Sequence, residues 1–587
     1  MDDHGALPLS EEDPNGGPAS TATAFIAGVA AVLWAGSHLL VHAPRGWPMD
    51  VPGEWDLLLT SLAIAQGAAP DAALGTLHGH ELGSYLVAAL IALPVWLGVD
   101  AVEAAKYVAM GFGAGSAATI GWLSVTFGVS AGLDRRHALS AGLVSGVITA
   151  AAWPGLHFEL AGVNGRTPES LLPQLLAVAL LVTLPPSAGR AQILRRSVSV
   201  GALLSLGWLL SPVTLWTLGA CGLAALWMLG SWGDRGVASA GAALGVALPL
   251  VLFALLIPGG AEGLDLFRVE QFGGGLAVSA EASGTPTAFA LLGFVHSALE
   301  GGAHNPELTF RPAILGLLGW SLLLALLGAI ITGARSGTPR APTVLAAGIA
   351  LSWLVPLFLL PSEKWFYPLA FRYWVLMLAI GIAVLPVLLL QLKRPGSMAT
   401  AGLALLGLLC ALTLPRSFIA PAPSRAEALV STGAHRMNPR PGRDRHATFL
   451  ALYPYVPTEA KVALAEGYGL ALGGDMAVDH VDERPGVPPW VALRDAIDDD
   501  ALAGFLVGVG CGVTAVRDVP DSVSRALQNT EPELRPALLW GVGRCAGERP
   551  FPALEPTRAF QAGRAGSNLG GIQSSVPEPG RLMPPRW

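Results

Sequence analysis

The sequence predicts an all-α polytopic membrane protein: about 11 transmembrane helices followed by a small extracytoplasmic α-helical repeat domain. Three observations carry this expectation. Of 587 residues, 52% are hydrophobic and only 13% are charged, against about a quarter charged in an ordinary soluble domain. Apolar runs recur that are long enough to cross a hydrocarbon core about 30 Å thick. Basic residues gather in alternate gaps between those runs, the pattern that sets membrane orientation. Mean hydropathy is +0.54, in the same sense.

The elements follow in order. Residues 1–21 are acidic, rich in Gly, Pro and Ser, and contain no Lys or Arg. Such a tail is expected to be disordered, and it lacks the basic n-region of a signal peptide. The first apolar run, 22–41, is too long for a cleaved signal and reads as a retained spanning helix. Further spans are expected at 103–127, 137–155, 170–185, 197–211, 213–231, 237–257, 313–333, 342–360, 373–391 and 398–415. Arg135 and Arg136, then Arg190, Arg195 and Arg196, then Arg235, then Arg335 and Arg340, then Lys393 and Arg394 mark alternate gaps as cytoplasmic. The intervening gaps are acidic or nearly neutral, including the long segment 258–312. The last span then runs outward and leaves 416–587 outside the cytoplasm. This is the arrangement of a multi-pass protein of a bacterial-type inner membrane, with a membrane domain over 22–415.

Charge alone does not orient the first hundred residues. If the apolar run 82–99 stays against the membrane, the N-terminus is inside and the loop 42–81 is outside. If it crosses, both are reversed. Within that loop Trp55, Leu58, Leu59 and Leu62 fall on one helical face, expected to lie in the membrane interface. Asp50, Glu54 and Asp56 crowd the start of this helix, where its dipole favours anions.

In the polar C-terminal part, three segments starting at 463, 504 and 537 repeat one another: Ala463–Gly469, Gly504–Gly510 and Ala537–Gly543. Each ends in Gly-x-Gly. Gly is a poor helix former, so its recurrence in a helical setting points to close helix–helix approach. A small helical repeat domain over 416–563 is expected, followed by a disordered Gly/Pro/Ser-rich tail, 564–587. A phosphate loop fits poorly, because no strand, Lys or Ser/Thr accompanies any copy. Cys221 and Cys410 lie in apolar runs and read as packing residues. Cys511 and Cys545 each fall one or two residues beyond a Gly-x-Gly and are placed to bond across neighbouring helices in an oxidising compartment.

Polar residues expected on the outer face fall in four places. The first loop offers Asp50, Glu54, Asp56, His78, His80 and Glu81. The gap after 155 offers His157, Glu159, Asn164 and Arg166. The long loop offers Glu300, His304 and Glu307. The gap after 360 offers Lys364, Tyr367, Arg372 and Tyr373. A carboxylate can deprotonate a hydroxyl, and Lys or Arg can hold a phosphate; an enzyme acting on a lipid phosphate needs both on one face. Each has a plain counter-reading. Glu54 and Asp56 serve equally as helix-capping acids, and Lys364 and Arg372 as snorkelling bases. His78-x-His80 has the spacing of a metal pair without an evident third ligand. A divalent metal therefore stays open and no cofactor is assigned. The modest net charge of −7 points to no nucleic acid.

This order of elements resembles the GT-C membrane glycosyltransferases, particularly the protein O-mannosyltransferase-like and aminoarabinose-transferase-like members. Those begin with one helix and an outer loop whose acidic motif precedes an interfacial helix, the place taken by Gly53-Glu54-Trp55-Asp56-Leu57. A His/Lys-Pro-Pro-Leu segment then opens a juxtamembrane helix, and His78-Gly79-His80-Glu81-Leu82 stands there. Arg135-Arg136 matches their basic cytoplasmic loop and Arg372-Tyr373 a late Arg-Tyr. The stretch from Glu159 to Arg166 loosely echoes their third-loop signature. The resemblance implies an inverting transfer of sugar from a polyprenyl-phosphate donor to an extracytoplasmic acceptor of unstated identity. Glu54 or Asp56 would activate the acceptor, with Lys364 and Arg372 on the donor phosphate. His80 would help position it, with Asp50, His78 and Arg166 beside the substrates. It also implies that 82–99 lies against the membrane on the outer side. Two other classes remain: a transporter, with Lys106 the chief ionisable residue inside a span, and a non-catalytic scaffold whose repeat domain recruits a partner.

Overall fold

The computed structural model describes residues 18–41, 52–68, 82–152, 167–256, 312–354, 375–391, 449–477, 493–514, 519–546 and 551–566, apart from single positions within them, and part of 426–433. Every regular element among these is helical. In chain order they are α1 (Pro18–Val41), α2 (Pro52–Ala65), α3 (Leu82–Trp96), α4 (Ala101–Ser130), α5 (Arg135–Val147), α6 (Thr167–Val182), α7 (Arg190–Leu210), α8 (Thr214–Met228), α9 (Trp232–Leu256), α10 (Pro312–Arg335), α11 (Pro342–Ser352), α12 (Val375–Gln391), α13 (Thr458–Ala477), α14 (Asp499–Thr514), α15 (Val519–Asn529), α16 (Arg535–Cys545) and α17 (Arg558–Gly566).

Four of these, α1, α4, α7 and α9, are long and apolar enough to cross a membrane. The expectation of about eleven spans is therefore met only in part. Helices stand at most of the expected positions, but α6, α8, α11 and α12 have 16, 15, 11 and 17 residues. At 1.5 Å per residue the longest of these four reaches about 26 Å, short of the roughly 30 Å hydrocarbon core. The expected span 398–415 lies outside the described residues, as do Cys410 and most of the expected tails 1–21 and 564–587; of those tails, residues 18–21 are helical in α1 and 564–566 in α17. Several helices also begin earlier than their apolar runs. Arg195 and Arg196 lie within α7 rather than in the gap before it, and α6 takes in Glu169. Long basic side chains can reach a polar boundary from inside a helix, so the apolar run understates the helix.

The bundle is packed through small residues. α1 crosses α4 where Gly113 leaves room for the fully buried Trp34 ring; a Cβ there would overlap the indole. The turns carrying basic residues come together at one end. The Ser130 hydroxyl pairs with Thr343 at the start of α11, 3.4 Å away, and Gln391 at the end of α12 donates to the Ala131 carbonyl at 3.1 Å. Arg135, Arg136, Arg335 and Arg340 border these contacts. Broad apolar faces remain exposed, among them Leu244, Leu248, Val251, Leu252 and Leu255 along α9.

The C-terminal helices explain the Gly-x-Gly repeat. Residues i and i+2 of a helix lie about 200° apart, so the two glycines face opposite neighbours. The first of each pair meets the preceding segment: Gly467 the Val430 carbonyl, Gly508 that of Glu466, Gly541 that of Val507. The second meets the following helix: Gly469 the Phe505 carbonyl, Gly510 that of Leu538, Gly543 that of Phe560. Any side chain at these positions would enter backbone. α13, α14, α16 and α17 therefore form a stack in which each helix touches the next at backbone distance. Cys511 on α14 and Cys545 on α16 are disulfide-bonded, with Cα atoms 5.1 Å apart and a sequence separation of 34. A closed loop of that length contributes about 3–4 kcal/mol. Maleimide labelling of denatured, unreduced protein is expected to miss both residues and to find them after reduction; labelling without reduction would show that the bond does not form.

Candidate functional site

The acidic segment opens α2. Pro52 at the first helical position has no N–H to leave unpaired, and Glu54 and Asp56 follow within the first turn and a half. Their side chains lie outside the described residues. So do Asp50, His78, His80, Arg166, Lys364 and Arg372, so the convergence of these residues on one cavity is not visible.

What the described residues do show is the setting of the segment, and it corrects one expectation. Leu58, Leu59 and Leu62 are buried as an apolar face would be, but so are Leu57, Thr60, Ser61 and Ala63. α2 is not a one-faced interfacial helix. It is enclosed on all sides by Val87, Ala88, Ile91 and Val95 of α3, by the first turns of α4, and by Phe449, Tyr453 and Val456 of the C-terminal module. The period was legible, but the cover over the opposite face comes from a segment about 400 residues away in sequence. The helix that keeps an exposed apolar edge is α3, at Leu90, Leu93, Trp96 and Leu97. It is 15 residues long, about 22 Å, with Pro94 inside it. Gly98, with φ +90°, then turns the chain into α4.

The C-terminal module is anchored to α2 by name. Gln66 Nε2 donates to the Tyr455 carbonyl at 2.8 Å. The adjoining Tyr453 hydroxyl donates to Asp498 at 3.0 Å, and Lys461 pairs with the same carboxylate at 3.2 Å while lying over the Tyr453 ring. These two donors hold the Asp498 carboxyl below the usual carboxylate range, and burial pushes the Tyr453 hydroxyl up. The 3₁₀ turn Tyr453–Tyr455 thus couples α2 to the repeat stack.

Buried polar groups gather at this end of the bundle. Asp100 caps α4 by accepting from the Val102 and Glu103 amides at 2.9 and 3.3 Å. Lys106, 5% exposed, donates to Glu103 at 2.7 Å, and His38 near the end of α1 lies beside it. Glu169 and Ser170 are buried in the first turn of α6. Gln174 Nε2 donates to Ser170 at 3.1 Å, and Thr217 of α8 donates to Gln174 Oε1 at 2.6 Å. Of these groups, sequence reading singled out only Lys106. Ser170 and Gln174 stand four residues apart, with Glu169 beside Ser170, in a largely apolar helix, which was the available signal for that face. Nothing local marks His38. Among the described residues no group of three or more His, Cys, Asp or Glu side chains is placed to hold a metal.

No protein-family model matches the chain, and no curated protein matches it.

Proposed function

We propose that the chain is a membrane glycosyltransferase that moves a sugar from a polyprenyl-phosphate donor to an acceptor hydroxyl outside the cytoplasm. The observation that supports this best is the seat of the acidic segment. It opens a helix clamped between α3, α4 and the C-terminal module, at the end of α4 away from the basic turn at Arg135. In this reading the bundle spans the membrane about eleven times, with the shorter helices completed by neighbouring segments. The basic turns face the cytoplasm and the N-terminus is inside. The module lies outside, where its disulfide suits an oxidising compartment.

Glu54 or Asp56 takes the proton of the acceptor hydroxyl as its oxygen attacks the anomeric carbon. The bond from that carbon to the phosphate oxygen breaks, and polyprenyl phosphate leaves with its negative charge held by Lys364 and Arg372. Asp50, His78, His80 and Arg166 position donor and acceptor. The resemblance noted above supplies these roles. The test is release of free polyprenyl phosphate from a panel of polyprenyl-phosphate sugars by the reconstituted protein, together with sidedness. An alkaline phosphatase fused after Trp587 is expected to be active. An inactive phosphatase with an active cytosolic reporter at the same point would put the acidic segment on the wrong face.

A transport function has one specific observation in its favour: Lys106, His38 and Glu169 are ionisable groups buried within apolar helices. Ion- or substrate-driven flux lost in Lys106→Met, with no sugar transfer by the parent, would favour it.

A further inference from the structure

A second feature lies at the other end of the bundle. The last turn of α6, the first half of α7, the second half of α8 and the first half of α9 enclose a cavity of about 150 Å³. Its wall is almost wholly apolar, including Leu181, Val200, Leu204, Leu218 and Ala225. α9 packs tightly along α7, where Gly245 meets the Val198 carbonyl. Against α8 the wall is looser and reaches the outer surface at the exposed Gly222, Leu226 and Ser239. The cavity thus opens sideways, toward whatever bathes the helices.

One charged group lines it. Arg196 Nη1 donates to the Leu180 carbonyl at 2.9 Å and to Thr183 at 2.8 Å. Its Nε and Nη2 have no acceptor among the described residues. Arg195 is exposed one residue earlier, and Arg235 donates to the Leu229 carbonyl and stacks over Trp232. The nearby acid, Asp234, faces Arg190 at 3.4 Å. Trp227 and Trp232, 61% and 84% exposed, flank the same end, at the level where tryptophan favours a membrane's headgroup layer. From Arg196 to Leu204 the wall runs eight residues along α7, roughly 12 Å: a cationic head over a narrow apolar slot.

We infer that this is a binding site for an anionic phospholipid, with one acyl chain in the slot between α8 and α9 and the phosphate on the free guanidinium N–H groups of Arg196. The site rests on the membrane reading but not on glycosyl transfer, since it lies at the opposite end from α2. Dispersion and apolar burial hold the chain. Both headgroups offer a phosphate to the guanidinium, but the choline of a zwitterionic lipid meets the neighbouring Arg195 and Arg235 as a like charge, which favours an anionic headgroup.

The test uses the full-length chain in nanodiscs of mixed phosphatidylglycerol and phosphatidylcholine, with lipids retained on transfer to detergent counted by native mass spectrometry. The parent is expected to keep one phosphatidylglycerol. Arg196→Gln is expected to lose it about tenfold or more, the scale of a charged hydrogen bond. Gly222→Leu places a side chain at the mouth of the slot, where a Cβ meets nothing within 4 Å, and is expected to keep the fold, obstruct the slot and lose the lipid as well. Equal retention of both lipids by the parent, or retention by Gly222→Leu at the parental level, would overturn the site. Membrane residence is read separately, from whether alkaline carbonate releases the chain.

Discussion

Glu54→Gln and Asp56→Asn are expected to leave the chain inserted and folded while at least one of them lowers sugar transfer by about 10²–10⁴-fold, the usual consequence of losing a general base. A capping acid at the same place would cost only about 0.5–2 kcal/mol of stability and no chemistry. The two roles therefore separate in one comparison of membrane expression with transfer. The buried body of α2 sharpens it, because Leu57 to Ala63 hold the helix without help from its first turn. Transfer at the parental rate by both variants would make these carboxylates structural. Conversely, Leu58→Ala removes a fully buried side chain from the core shared by α2, α3 and the C-terminal module, and should reduce yield and activity together.

The largest stability effect is expected in the repeat stack. Arg544 Nη1 lies 2.7 Å from Glu466 Oε1, and the two side chains are 6% and 3% exposed. Glu466 precedes the Gly-x-Gly of α13 and Arg544 follows that of α16. The pair thus joins the first and third helices past α14, which carries Gly508, Gly510 and Gly512 between them. Removing one partner leaves a charge in an apolar interior, which costs about 3–5 kcal/mol. Glu466→Gln and Arg544→Met are each expected to lower hydrogen-exchange protection of the α14 amides by that amount in the full-length protein. Glu466→Leu with Arg544→Met removes both charges and is expected to recover most of it, because the pair's attraction offsets little more than its own desolvation. Single variants within about 1 kcal/mol of the parent would show that water reaches the pair.

Sequence by itself determined what depends on neighbours along the chain. The apolar runs and their charged gaps located α4, α6, α8, α10 and α12 to within about three residues and α7, α9 and α11 less closely, α7 starting seven residues before its run, because a helix in an apolar setting must satisfy its own backbone and is written as a continuous run. The Gly-x-Gly copies and the two cysteines beyond them disclosed a stack of closely approaching helices and its disulfide, because a glycine that admits another backbone leaves a mark at its own position. Tertiary structure alone decided which faces meet. Leu57, Thr60 and Ser61 lie off the apolar face that the sequence shows for α2, and are buried because the folded chain, the segment around Tyr453 included, covers the helix. Glu466 and Arg544, 78 residues apart in sequence, meet only because α14 packs between their helices. Arg196 read as a loop residue until four helix ends enclosed the slot beside it. The acidic segment was legible as a candidate site. Its enclosure was not, since burial belongs to contacts between segments hundreds of residues apart and no local pattern encodes them.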